Sequence, residues 1–182
     1  MSNYKIYKGT YLYFVTFTIN EHIPLFTNAV YRDIVINSLK FSIENRFLRI
    51  FAYVIMSTHM HLIIFDAQFD NQRLQKTINE FRKFTGNALL KQIKKDNQNL
   101  QEKFIETRRT DREHRIWAVG FHPIGIENEK MLVQKINYIH ENPVKAGLTE
   151  DPLTWIYSSA NYWETGEEGA LPIHHYLDVG DC

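Results

Sequence analysis

The chain reads as an α+β protein, a mainly antiparallel sheet with helices packed on one face. Three observations predict it. Residues 10–19, 48–56, 59–65 and 115–126 are rich in aromatic and β-branched residues and carry strand character. Residues 27–43, 70–96 and 127–142 repeat apolar side chains at helical spacing. The two kinds follow one another as β-α-β-β-α-β-α, and two adjacent strands joined by a tight turn must pair antiparallel.

The first strand is "TYLYFVTFTI", with partial alternation of apolar and polar residues. The helix that follows has Thr27 as its expected cap and a stripe at Val30, Ile34, Leu39 and Ile43. Residues 48–56 and 59–65 flank Ser57-Thr58 and form a hairpin. In "DNQRLQKTINEFRKFTGNALLKQIKKD", Leu74, Ile78, Phe81, Leu89 and Ile93 mark the buried side of an amphipathic helix whose outer side is basic. "RIWAVGFHPIGI" is expected as a strand and "ENEKMLVQKINYIHEN" as a helix. In "NPVKAGL", Asn142 reads as a cap, Pro143 as the first residue of a short turn and Gly147 as its stop. The tail from about residue 150, with "WIYSSANYW", is aromatic and acidic and fits no regular pattern.

The 182 residues are about one domain long, 44% hydrophobic and 14% aromatic, which is ample for one core, and no Pro/Gly/Ser linker divides them. A single domain over 1–182 is the expectation. The only cysteine is Cys182, so a disulfide framework or cysteine-based zinc site is excluded and a reducing cytoplasm fits. No window holds the roughly 18 uninterrupted apolar residues of a membrane span, and no secretory signal is read at the N-terminus.

Net charge is zero, yet the charge is unevenly placed. Residues 73–115 hold 12 basic residues against 6 acidic ones, whereas 141–182 hold 1 against 8. A basic face with an acidic flank suits a phosphate-rich partner better than the zero average suggests.

The run "YVIMSTHMHLIIF" poses a sharper question, because it places His59 and His61 inside an otherwise apolar strand. Alternate residues of a strand share a face, so the two imidazoles lie on one side, about 7 Å apart at the backbone, and Met60, Leu62 and Ile64 on the other. Two neutral imidazoles can converge on one divalent ion or form separate local hydrogen bonds. A third ligand has to come from elsewhere. Tyr138 and Asn142 are four residues apart, the spacing of one helical face. By spacing alone, Asn142 before a proline reads as a cap ahead of a ligand, and Tyr138 as a core or rim aromatic.

Taken together, "MSTHMHLII", "WAVGFHPIGI" and "YIHENPVKAGL" resemble the single-tyrosine HUH transposases, most closely the REP-associated tyrosine transposases of bacteria. The resemblance spans nearly the whole chain in order. It departs at Ser57-Thr58, where Pro-Asn is expected, and both pairs suit a turn. The resemblance implies a ferredoxin-like, RRM-like HUH nuclease fold and a metal-dependent endonuclease and strand transferase. Such an enzyme cuts hairpin-associated single-stranded DNA through a covalent 5′-phosphotyrosine, the chemistry of DNA transposition. It implies Tyr138 as nucleophile, His59 and His61 as metal ligands, Asn142 as the third ligand, and Mg²⁺ or Mn²⁺ as the ion.

A phenol titrates near 10, so a tyrosine nucleophile at pH 7 has to overcome roughly 4 kcal/mol. A divalent Lewis acid on the phosphate offsets part of it. Lys135, three residues before Tyr138, either lowers the phenol or is a solvated surface lysine. Phosphate contacts are expected from Arg73, Lys76, Arg82, Lys83, Lys91, Lys94, Lys95, Arg108, Arg109, Arg112 and Arg115. Trp117 and Phe121 either stack on unpaired bases or face the core. A bacterial, cytoplasmic and nucleoid-associated protein is expected, a monomer ahead of a dimer, with no membrane partner. The rival readings are a relaxase or replication initiator with the same residues, a non-catalytic nucleic-acid-binding module that gains nothing from Tyr138, and a domesticated relative.

Overall fold

The structure, a computed structural model, describes residues 11–96, 98–104 and 115–175. Its sheet has the order β2-β3-β1-β4, with β1 (Tyr13–Thr18), β2 (Leu48–Ile55), β3 (His59–Asp66) and β4 (Ile124–Gly125) all paired antiparallel. β2 and β3 form the expected hairpin around residues 56–58. β1 lies beside β3 with Thr16 opposite His61 and Thr18 opposite His59. That register fixes what faces the histidines, since directly opposed residues of an antiparallel pair share a face.

The strand expected over 115–126 shrinks to Ile124–Gly125, and Trp117 contributes only an isolated bridge to Ile19. Gly120 at φ +82° turns the chain, and Pro123 has no N–H to give to a ladder.

Helices α1 (Ala29–Asn45) and α2 (Asn71–Asp96) pack on one sheet face, over Tyr13, Val15, Phe17, Met60, Leu62 and Ile64. The cap of α1 is Asn28, whose side chain accepts the Val30 N–H, in place of the expected Thr27. A short α3 (Gln98–Glu102) follows α2. Helix α4 (Glu129–Lys145) crosses the opposite face, its Leu132 and Ile139 joining Phe14, Val54, Ile63 and Phe65 in a second, smaller core. The α+β antiparallel architecture thus stands, with helices on both faces of the sheet where one face was expected.

α4 also runs through Pro143, where the sequence places a boundary. Proline there removes the N–H that would bond the Ile139 carbonyl, a cost of about 3 kcal/mol in a helix interior. Burial of the ring offsets part of it, and the Asn142 side-chain amide donates to the Tyr138 carbonyl one turn back. The helix then ends as expected at Gly147, φ +67°, with Gly147 N–H donating to Val144 and Leu148 N–H to Pro143. This pair of bonds is the Schellman closure, and it needs a residue at ease with positive φ.

The aromatic tail has a definite place. Ile55 N–H donates to Tyr157 and Ser159 N–H to Tyr53, while the indole N–H groups of Trp155 and Trp163 reach the carbonyls of Ile55 and Phe51. A short α5 (Ala160–Thr165) and residues up to His175 continue along the same side. The outer edge of β2 is therefore covered, which an exposed strand edge requires if it is not to recruit another chain.

Candidate metal and tyrosine site

The site is assembled from β1, β3 and α4. His61 is 5% exposed, and its ring lies 4.7 Å from that of His59, centroid to centroid. Each imidazole is held from behind by a threonine: Thr16 Oγ1 is 2.8 Å from Nδ1 of His61, and Thr58 Oγ1 is 2.9 Å from Nδ1 of His59. With Nδ1 so occupied, Nε2 is the nitrogen each ring has to offer, which is how metal-binding histidines are normally oriented. Burial, followed by the charge of His59 and then of Lys135, pushes His61 down to about 3. Burial and the nearby His22 push His59 down as well. Both rings are neutral at neutral pH, the state that binds a cation.

α4 brings Tyr138 over this pair. Its hydroxyl stands 3.5 Å from Nε2 of His61, at the outer limit of a hydrogen bond, and the two rings meet edge to face at 5.1 Å. Tyr138 is 42% exposed, so the phenol is supported from below and open to solvent above. Phe14 supports both groups, stacked on His61 at 5.3 Å and edge-on to Tyr138 at 5.9 Å. Lys135 holds its ammonium 4.6 Å above the Phe14 ring, so it is a site residue rather than a freely solvated lysine.

Asn142 lies one turn after Tyr138 in the same helix and caps no new turn. Its Nδ2 donates to the Tyr138 carbonyl at 2.7 Å, which leaves Oδ1 as the unspent atom of the amide. Two imidazole nitrogens and an amide oxygen would be donors for a divalent ion: the amide oxygen suits Mg²⁺ or Mn²⁺, and the imidazoles favour borderline transition metals. Among the described residues no cluster of three His, Cys, Asp or Glu offers an alternative site.

Sequence reasoning missed Thr16, Thr58 and Phe14. The polar alternation Thr16, Thr18 in β1 was a usable sign, but only the register with β3 shows that it meets the histidines.

The expected phosphate contacts divide into three groups. Arg73 is committed internally: it makes a two-pronged ion pair with Asp66, Nε to Oδ2 at 2.7 Å, and its guanidinium lies 4.4 Å over Phe47. Arg82 donates to the Ala118 carbonyl and covers Phe121. Lys76, Lys83, Lys91, Lys94 and Lys95 are exposed along α2. Arg115, whose N–H donates to Phe104, is partly buried, and Arg108, Arg109 and Arg112 lie outside the described residues. Trp117 is corrected outright. It is 5% exposed, packs against Phe17, Phe26 and Phe81, and donates its indole N–H to Thr85 Oγ1 at 3.0 Å. Phe121 is buried beside it. Neither ring can stack on a base, because an indole with its N–H satisfied inside the core gains more there than at a surface.

No protein-family model and no curated protein matches the chain. Among solved structures it resembles a REP-associated tyrosine transposase bound to a REP hairpin, at 20% identity and a TM-score of 0.57, over 97% of this chain and 93% of that one. A candidate transposase from Deinococcus radiodurans R1 aligns over 78% of this chain and 97% of its own, at 13% identity and a TM-score of 0.46. The first of these likenesses establishes a shared fold. No helix among the described residues is long and apolar enough to cross a membrane.

Proposed function

We propose that this chain is a metal-dependent single-stranded DNA endonuclease and strand transferase of the transposase kind, acting on hairpin-associated DNA with Tyr138 as its nucleophile. The observation that carries the reading is the phenol of Tyr138 poised 3.5 Å from Nε2 of a buried, neutral His61 whose other nitrogen is held by Thr16. A tyrosine that served only packing would gain nothing from a half-open position above two converging imidazoles.

His59 and His61 through Nε2, and Asn142 through Oδ1, would hold Mg²⁺ or Mn²⁺, which supplies a Lewis acid at the scissile phosphate. Tyr138 Oη forms the new bond to phosphorus and the bond to the 3′ oxygen breaks. The phenolic proton passes through solvent to the departing oxygen. Nothing is oxidised or reduced, and the phosphodiester is conserved as a 5′-phosphotyrosine for rejoining, so no nucleotide is consumed. Phe14 keeps the phenol and His61 in fixed relation, and Lys135 adds positive charge where an anionic strand has to approach.

The exposed lysines of α2 hold the phosphates of the hairpin arm, and the basic residues Arg108, Arg109, Arg112 and Arg115 supply further phosphate contacts. The enzyme works as a monomer in the cytoplasm, at the nucleoid. In support, one chain supplies both the histidines and the tyrosine, and its tail covers the β2 edge.

The test is a denaturing gel of labelled hairpin DNA with a single-stranded flank, incubated with protein in Mg²⁺, Mn²⁺ or EDTA. A metal-dependent protein-linked band that disappears in Tyr138→Phe is the expected result. DNA binding without any adduct in either metal, on a hairpin the protein demonstrably binds, would leave a binding module instead of an enzyme.

A further inference from the structure

One polar residue of the tyrosine helix points away from the chemistry. His140 follows Tyr138 by two positions, which turns it roughly 200° around α4. Its Nε2 lies 2.9 Å from Oγ of Ser159, a residue of the tail that is 1% exposed. The same Ser159 hydroxyl accepts the Tyr53 N–H at 2.9 Å and stands 3.3 Å from the Tyr53 carbonyl, to which Ser159 also donates its own N–H at 3.0 Å. One hydroxyl therefore joins three elements: α4, the tail beside α5, and the outer edge of β2. The hydroxyl lies within hydrogen-bond distance of three groups, as many as its one proton and two lone pairs can serve.

Leu132, Ile139 and Pro143 also tie α4 to the sheet, but through apolar contacts. Apolar contacts resist separation and tolerate small rotations, because they have no preferred direction. The bond to Ser159 is directional. We infer that His140 is a positioning residue: through Ser159 it sets the rotation of α4 about its axis and thereby aims Tyr138 and Asn142 at the histidine pair. The inference rests on the tyrosine nuclease reading. A rotation that displaces the phenol by 1 Å is enough to cost up to about 100-fold in rate.

The experiment compares His140→Gln with His140→Asn. Glutamine places its amide nitrogen near where the imidazole Nε2 stands, and asparagine is one carbon too short to reach Ser159. Single-turnover adduct formation at saturating hairpin DNA and Mg²⁺ is expected to be within about three-fold of wild type for His140→Gln and at least ten-fold slower for His140→Asn and for Ser159→Ala. The dissociation constant for the hairpin should be unchanged in all three. The double variant His140→Asn/Ser159→Ala should be no slower than Ser159→Ala alone, since the bond between the two side chains is already absent there. In metal-free protein, amide hydrogen exchange in α4 should quicken in the Asn variant, at a thermal midpoint above the assay temperature.

Equal rates for the Gln and Asn variants, or additive losses in the double variant, overturn the positioning role while leaving the nuclease reading intact. If the wild type forms no adduct, the failure lies with the nuclease reading. In that case a hydrogen-exchange pattern identical in both variants sinks the positioning claim independently.

Discussion

The two faces of the sheet are made of alternate residues of the same strands, and they have been put to opposite uses. Toward α1 and α2, β3 presents Met60, Leu62 and Ile64, all closed off from solvent in one continuous apolar core. Toward α4 it presents His59, His61, Ile63 and Phe65, and the cover is partial: Ile63 and Phe65 are sealed, while Tyr138 stands 42% exposed above His61. The closed face provides rigidity, so the open end of the other face can tolerate one buried and one half-buried imidazole and an exposed phenol. The same division applies to the basic residues. Arg73 and Arg82 are drawn into packing, and the lysines of α2 point to solvent on the face remote from the tyrosine. The phosphate contacts proposed at those lysines would therefore be made by DNA lying outside the proposed cleavage site.

The hardest test of the comparison removes the one atom the open face offers. Tyr138→Phe should abolish adduct formation, by 1,000-fold or more, with hairpin affinity within two-fold and thermal stability unchanged, because the hydroxyl is supported by a single long contact. Residual adduct of normal yield would move the nucleophile elsewhere. On the closed face, Trp117→Ala should cost about 3–5 kcal/mol by calorimetry or denaturant titration, from the cavity and the lost indole bond to Thr85. A loss of DNA affinity at unchanged stability would instead return Trp117 to base stacking. Arg73→Ala should cost about 2–4 kcal/mol, because Asp66, 1% exposed, keeps its charge and only its backbone donors from Gln68 and Asp70.

Acid should distinguish the faces as well. His61 and His140 fall from 6.5 to about 3 and about 4 in the fold, so below 6.5 the unfolded chain binds protons that the folded one refuses. Metal-free protein should accordingly lose stability as pH falls from about 6.5 to about 4, each group adding up to about 1.4 kcal/mol per pH unit. His140→Gln should flatten the slope by one proton in urea titrations across that range. The smallest effect belongs to the α2 surface: Lys76→Gln, Lys83→Gln and Lys94→Gln together should leave stability within 0.5 kcal/mol. Each phosphate contact so removed should lower the slope of log affinity against log salt by about 0.9 for a duplex arm. An unaltered slope would show that this face is merely solvated.

Much of this was legible in the chain itself. Periodicity alone located β1, the β2–β3 hairpin and the three long helices, because burying an apolar face imposes a spacing of 2 or 3.6 residues whatever the neighbours are. It also put His59 and His61 on one side of a strand, and a helix spacing put Tyr138 and Asn142 together. What spacing cannot express is which elements meet. That α4 crosses the sheet face opposite α1 and α2, that Thr16 backs His61, that Trp117 is taken into the interior and that His140 reaches Ser159 all depend on contacts between residues distant in the chain. Each of those choices is settled by burial and by satisfaction of polar groups that become available only once the layers have closed. Local pattern determined the pieces and their polarity, and long-range packing decided which polar side chains face one another.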